Sequence, residues 1–221
     1  MPTLAHDLDS IHHDLAHRLA LASNARPDAR HPRGHYTSID TFLAAASRHN
    51  AAMASTIAPL VRHLPGGHDL AHEFLATSRV YEEALAQVKA RLYGSTYVVG
   101  RPWASIWEEV HREFEAVCAL ERRLAETLLD QEDDGAMGDD DTEDLGTRLH
   151  RAELASPTRP HPWIPHRGVV GHLARAVARR IDRFWDAAEG RMVPEPVRHH
   201  DREHQGKMAQ YLLADPHLRD E

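Results

Sequence analysis

The stretch Trp103–Leu129 places a carboxylate in the middle of an apolar helix face. At 100° per residue, one side of this helix collects a set of apolar side chains: Trp103, Trp107, Val110, Phe114, Val117, Cys118, Leu124 and Leu128. Glu121 lies within that stripe. A carboxylate at such a position is rarely buried unless it is paired, protonated or bound to a metal, because desolvating it alone is costly. The sequence therefore predicts that Glu121 is protonated or meets a polar partner or a metal ion inside the core.

Three earlier segments repeat the same apolar periodicity. They begin at Thr3, near Thr37 and at His68, and short connections rich in Pro and Gly separate them. No part of the chain shows the strict alternation of apolar and polar residues that is typical of a half-buried strand. Four long amphipathic helices with short connections predict an all-α, up-down-up-down four-helix bundle over residues 1–129.

The composition changes after the predicted bundle. Residues 130–144 contain nine acids in fifteen positions, so we expect an acidic, solvated linker there. Residues 145–221 form an Arg- and Pro-rich helical extension, which includes an amphipathic helix within residues 168–189. A basic amphipathic helix can contact an anionic membrane or a protein partner, but we expect this one to pack its apolar face against the bundle.

Charge and cysteine content narrow the functional classes. A net charge of -8 argues against a nucleic-acid-binding protein. The single cysteine, Cys118, excludes an intramolecular disulfide framework. The chain has no apolar run of about 18 residues and no signal-peptide pattern at its N-terminus, so we expect a cytoplasmic protein. No nucleophile motif or phosphate-binding loop identifies it as an enzyme.

The position of each polar residue relative to the apolar stripe of its helix indicates which side chains could contact the carboxylate of Glu121. His12 lies about 60° from the middle of the first apolar stripe, and His49 lies at the margin of the second. Glu82 lies at the edge of the third stripe. A His-x-x-x-His pair that ends at His72 has a spacing that can chelate one metal ion, but it faces away from the third stripe.

These residues resemble the ligand motifs of hemerythrin-like, or HHE cation-binding, proteins, whose helical bundle holds a non-haem di-iron centre. The resemblance covers the chain from Leu8 to Leu129. His12 is similar to the first ligand of that family, and His49 to the histidine of its His-x-x-x-Glu pair. Glu121 is similar to the last carboxylate. The resemblance implies that His12, His49 and Glu121 are metal ligands.

Two departures from the family pattern bear on the number of metal ions. Met53 stands where the pattern has a bridging Glu, and Val117 stands where it has a His. Three ligands suit one metal ion with an open position better than a di-iron pair, although Glu82 and His72 are candidates for further ligands. The segment Pro157–Glu195 is also similar to an extension found on actinobacterial hemerythrin-domain proteins.

The resemblance implies a protein that binds non-haem iron, as one ion or two, and that takes O₂, nitric oxide or peroxide as its small ligand. The alternative is a helical bundle that has lost its metal and acts as an interaction module, with Glu121 held by His12 or His49 in a buried hydrogen-bonded pair. A third interpretation is an enzyme that uses a His and a carboxylate as acid and base, but no motif supports it.

Overall fold

The protein is all-α throughout the part of the chain that the computed structural model describes, namely residues 4–26, 30, 34–93, 100–133, 145–164, 168–189 and 193–196. Those residues form helices and connections and contain no strand. The helices are α1 (Leu4–Asn24), α2 (Gly34–Arg62), α3 (Gly67–Leu92), α4 (Trp103–Asp133), α5 (Leu145–Ala155) and α6 (Gly168–Glu189). The predicted all-α class is confirmed.

Helices α1 to α5 share one hydrophobic core. Helix α1 packs against α2 and α4, and α3 packs against the same two helices. The side chains that are completely or almost completely buried come from each of these four helices: Leu8, Leu19, Ile39, Phe42, Leu43, Met53, Ile57, Phe74, Leu85, Ile106, Leu124 and Leu128. Because all of these positions except Ile106 belong to the predicted apolar stripes, burial of the stripes accounts for how α1 to α4 pack.

Two glycines lie where the connection between α2 and α3 enters α3. Gly66 has a φ of 73°, in the left-handed region that residues with a Cβ rarely adopt. A Cβ atom on Gly67 would lie only 1.9 Å from the carbonyl oxygen of Val61. A side chain at position 67 would therefore force the backbone apart. The two glycines let the chain reverse over a few residues, so that α3 packs directly on α2.

Helix α5 belongs to the extension and packs against α2 and α1. Its buried positions are four residues apart: Leu145, Leu149 and Glu153. The two leucines join the hydrophobic core. This helix therefore brings a third buried side chain, the carboxylate of Glu153, to the inside of the protein.

Helix α6 packs through its polar side, contrary to our expectation. Asp182 and Asp186 are buried, whereas its large apolar side chains are 48% to 67% exposed: Leu173, Val177, Ile181, Phe184 and Trp185. Asp182 accepts hydrogen bonds from the backbone N–H groups of Thr158 and Arg159, at 3.0 and 3.1 Å. These buried donors need an acceptor, and satisfying them turns the apolar face of α6 outward.

The remaining boundaries differ in detail from the prediction. Helix α2 begins at Gly34, before the predicted start near Thr37, and α4 continues past Leu129 to Asp133. Most of the predicted acidic linker, residues 134–144, and the end of the extension, residues 197–221, lie outside the described residues. Among the helices that are described, none is both long enough and apolar enough to cross a membrane.

Candidate metal centre

Three polar side chains from three helices converge in the core. Oε2 of Glu121, on α4, lies 2.6 Å from Nε2 of His12, on α1, and 3.1 Å from Nε2 of His49, on α2. Each residue offers a potential ligand atom, and these atoms all lie within 4.8 Å of one another. The three residues are 0% to 4% exposed. The structure therefore supplies polar partners for Glu121, which is one of the alternatives that the sequence predicts.

The apolar stripes explain why these side chains point inward. His12 lies between Leu8 and Leu15 on α1, and both leucines are buried. Glu121 lies between Val117 and Leu124 on α4, and both of these are buried too. Residues three or four positions apart share one face of a helix. Each polar side chain therefore follows the core-facing stripe of its helix into the interior.

A second carboxylate is within hydrogen-bonding distance of the other ring nitrogen of His49. Nδ1 of His49 lies 2.7 Å from Oε1 of Glu153, which α5 places in the core at 4% exposure. In metal sites, a carboxylate on the ring nitrogen that faces away from the metal fixes the tautomer and the orientation of the imidazole. Glu153 was not among the predicted site residues, although its spacing of four from Leu149 could have indicated an inward position.

The two carboxylates favour a cationic His49 in the metal-free protein. Burial by itself lowers the pKa of His49, but the charge of Glu121 and hydrogen bonds to Glu121 and Glu153 outweigh burial and raise that pKa to about 10. Burial by itself raises the pKa of Glu121, but the charge of His49 and hydrogen bonds from His12 and His49 lower it to about 2. At neutral pH, His49 therefore donates one N–H to each carboxylate.

The donor set fits one divalent transition metal ion. Two imidazole nitrogens with one carboxylate form the set that non-haem iron(II) commonly binds with open positions. Oε1 of Glu121 is buried and has no hydrogen-bond partner among the described residues, so this carboxylate has an oxygen left for an ion. Nδ1 of His12 is also buried without a partner in this part of the chain. Among the described residues, a second carboxylate therefore fixes the orientation of His49 but not that of His12.

The structure does not bring Glu82 and His72 into this cluster. Glu82 is buried on α3, where its Oε1 accepts a hydrogen bond from Nδ2 of Asn50 at 3.2 Å. Burial raises the pKa of Glu82 to about 7, although the nearby charge of Arg175 opposes this shift. His72 is exposed to solvent. Neither residue adds a fourth donor to His12, His49 and Glu121.

Tyr81 and Cys118 are buried, and the negative charge of Glu121 raises the pKa of each side chain. Burial raises the pKa of Tyr81, and the negative charge of Glu121 raises it further. Burial and Glu121 also raise the pKa of the Cys118 thiol above its ordinary value. Both groups are therefore neutral at physiological pH, and Cys118 lacks the thiolate character of a reactive cysteine. The phenol oxygen of Tyr81 has no hydrogen-bond partner in the described residues.

A small cavity of about 20 Å³ lies beside His49 and Glu153. Residues of α1 and α2 line it together with the segment Pro194–Pro196. Nη1 of Arg48 donates a 2.7 Å hydrogen bond to the carbonyl oxygen of Pro194, which holds this segment against α2. The cavity is large enough for about one water-sized molecule. It therefore provides space for a small molecule next to the histidine that two carboxylates orient.

Comparison of the chain with protein-family models, with curated proteins and with solved structures finds no match. No function can therefore be transferred to the chain from a relative. A fold alone does not specify a function either. The cluster of His12, His49 and Glu121, together with the side chains around it, is the basis for proposing a function.

We expect Glu153→Gln to lower the pKa of His49 in the metal-free protein, because the substitution removes one of the two negative charges that stabilise the imidazolium. The free energy of unfolding should fall by about 1.5–3 kcal/mol at pH 6, the range for a hydrogen bond to a charged group. Histidine NMR titration and urea unfolding measure these effects. Glu126→Gln, at an exposed site on α4, is the control. An unchanged pKa of His49 would show that Glu153 does not hold the ring.

Proposed function

We propose that this chain is a hemerythrin-like protein that binds one non-haem iron ion inside an up-down-up-down bundle of α1 to α4. The observation that carries the proposal is the convergence of two Nε2 atoms and a carboxylate oxygen from three helices at a buried point. Carboxylate and imidazole side chains that project inward from facing helices are the usual way to build an iron site in a helical bundle.

A single ion is favoured over a pair because of what surrounds the three donors. Met53 and Val117, at the positions where the family pattern has Glu and His, are buried among apolar side chains of the core. A thioether is a poor ligand for ferric iron, and Val117 offers no donor atom. Two iron ions usually need several carboxylates to balance their charge, whereas Glu121 is the one carboxylate in the cluster.

Iron bound by three side chains would supply an open coordination position and a change of oxidation state. The protein side chains would control which molecules reach that position. The apolar core excludes bulk water and large solutes, and the cavity beside His49 admits a molecule of about the size of water. The proposed small ligand is O₂, nitric oxide or peroxide, each of which can bind at an open position on iron, and the proposed role is to bind or sense it in the cytoplasm.

Elemental analysis of the untagged protein, expressed with iron and manganese in the medium, tests this proposal. We expect one metal ion per chain, and we expect His12→Ala to abolish metal binding because it removes one of three donors. His72→Ala, which removes an exposed histidine, is the matched control and should retain the metal. Two ions per chain in the wild-type protein would contradict the three-ligand site.

A metal-free interaction module is the second candidate function. One observation favours it: Oε2 of Glu121 is within hydrogen-bonding distance of both His12 and His49, so the three side chains can satisfy one another. A buried, hydrogen-bonded group of this kind can persist as a structural element. Anaerobic titration of the metal-free protein with iron(II) separates the two candidates, because a folded protein that binds no iron would support the interaction module.

A further inference from the structure

Helix α6 presents an apolar ridge to solvent. Five side chains form this α6 ridge and are 48% to 67% exposed: Leu173, Val177, Ile181, Phe184 and Trp185. Their spacing places them along one side of the helix. No described residue covers them. Contiguous apolar surface of this kind usually marks a site that contacts another molecule or a membrane.

The opposite side of α6 is fixed to the protein by a polar network. The buried carboxylate of Asp182 accepts hydrogen bonds from two backbone N–H groups and lies 3.1 Å from Nε2 of His161. Asp186 accepts hydrogen bonds from the hydroxyl of Thr158, at 2.5 Å, and from Nη2 of Arg159, at 3.2 Å. Turning the α6 ridge inward would break these contacts and leave polar groups without partners. The outward orientation of the ridge is therefore built into the fold.

Among the side chains of α6 that are described, the exposed charges are basic. Arg180 and Arg183 are exposed, whereas both aspartates of α6 are turned inward. Arg180 lies about 20° around the helix axis from Leu173, so it borders the ridge directly. The side of the ridge next to Leu173 is therefore positive, although the whole chain has a net charge of -8. Its complement is a surface that is both apolar and anionic.

We propose that the α6 ridge docks on an anionic membrane surface. Aliphatic and aromatic residues on one side of a helix, bordered by arginines, are typical of helices that lie in the lipid interface. The alkyl parts of Arg180 and Arg183 can lie along acyl chains while their guanidinium groups reach lipid phosphates. A second copy of the ridge is a poorer occupant, since it would bring the same positive charges together.

The membrane contact is independent of the proposed iron site. Asp182 and Asp186 hold α6 by contacts to the segment that contains Thr158, Arg159 and His161, and none of these residues belongs to the metal cluster. Loss of iron would therefore leave the ridge in place. The described helices are not of the kind that crosses a bilayer, so docking would be peripheral and reversible.

Vesicle co-sedimentation of the full chain tests the proposal. We expect the protein to bind phosphatidylcholine vesicles that contain phosphatidylglycerol and to bind pure phosphatidylcholine vesicles more weakly, with binding that declines as salt is added. The double variant Phe184→Ala/Trp185→Ala should bind about tenfold more weakly, because it removes exposed apolar surface. Removing Arg180 or Arg183 should weaken binding about fivefold per arginine. Trp163→Ala, which removes an exposed aromatic outside α6, is the control and should bind normally.

Three outcomes would overturn the proposal. The first is no binding of the full chain to the anionic vesicles, and the second is equal binding of the wild-type protein and the ridge variants. The third comes from sedimentation velocity without lipid. A dimer that Ile181→Arg converts to a monomer would identify the ridge as an interface between two copies of the chain. Because Ile181 is half exposed, that substitution should leave the fold intact.

Discussion

Glu121→Ala should abolish metal binding and lower the free energy of unfolding of the metal-free protein by about 3–5 kcal/mol, the range for breaking a buried ion pair. The reason is that one carboxylate oxygen serves both histidines. Its removal leaves His12 without its hydrogen-bond partner and His49 with only Glu153. Urea unfolding followed by circular dichroism measures the stability, and elemental analysis measures the metal.

The variant Glu121→Gln separates the two parts of this prediction. An amide keeps the volume of the side chain and one acceptor oxygen, so the loss of stability should be smaller than in Glu121→Ala. It also removes the negative charge, so metal binding should still be lost. Glu126→Gln, further along α4 and exposed, should change neither property. Full metal content in Glu121→Gln would show that the carboxylate is not a ligand.

Helical phase was sufficient to predict the main elements and the inward polar side chains. Long stripes of apolar residues determine α1 to α4, because each stripe has to be buried against others. The same phase places His12 and Glu121 inside, where the structure finds them. Helical periodicity shows on which side of its helix a side chain lies, but it does not show which residues that side chain contacts. It therefore indicated Glu82 as well as Glu121, although Glu82 accepts a hydrogen bond from Asn50 and does not join the cluster of His12, His49 and Glu121.

Glu153 shows why part of the site could not be predicted. Its contact with His49 joins residues 104 positions apart, and no periodicity within one helix encodes such a pairing. Helix α5 has only 11 residues, so its stripe of Leu145 and Leu149 is short. A pattern of that length is weak, and it lies next to the acidic segment. The docking of α5 on α2 depends on the tertiary structure, not on the local sequence.

The orientation of α6 was not predicted because amphipathicity was considered without hydrogen bonding. The strong apolar face predicts burial of that face. In the structure, buried N–H groups at Thr158 and Arg159 need acceptors, and Asp182 supplies them. An unsatisfied buried donor costs about 1–3 kcal/mol, so several such groups can outweigh the burial of part of an apolar face. The segment before α6 therefore decides which side of the helix faces inward.

The stability of the metal-free protein should depend on pH through His49, Glu121 and Glu82. Folding raises the pKa of His49 from 6.5 to about 10, so its contribution is complete below pH 6.5 and is lost as the pH rises toward 10. Folding lowers the pKa of Glu121 from 4.5 to about 2, so its contribution is complete above pH 4.5 and is lost as the pH falls toward 2. The ion pair therefore contributes fully between these two limits, from pH 4.5 to 6.5.

Glu82 adds a separate loss of stability within the same range. Folding raises its pKa from 4.5 to about 7, so the unfolded chain releases this proton first and stability falls as the pH rises from 4.5 to 7. Glu82→Gln removes this component but leaves the ion pair unchanged. In that variant, we expect a plateau up to about pH 6.5 and a decline of about 3–5 kcal/mol toward pH 10. Urea unfolding at a series of pH values measures both curves.

Metal binding should show the opposite dependence on pH. A metal ion needs a neutral His49, so binding has to release the proton that Glu121 and Glu153 hold on the ring. Between pH 6.5 and 10, the affinity should rise about tenfold per pH unit, because one proton is exchanged for one ion. The metal-loaded protein should therefore lose less stability in alkaline solution than the metal-free protein. Calorimetric titrations with manganese(II) in buffers of different ionisation enthalpy count the proton. An affinity that stays constant over this range would mean that His49 is already neutral before the metal binds.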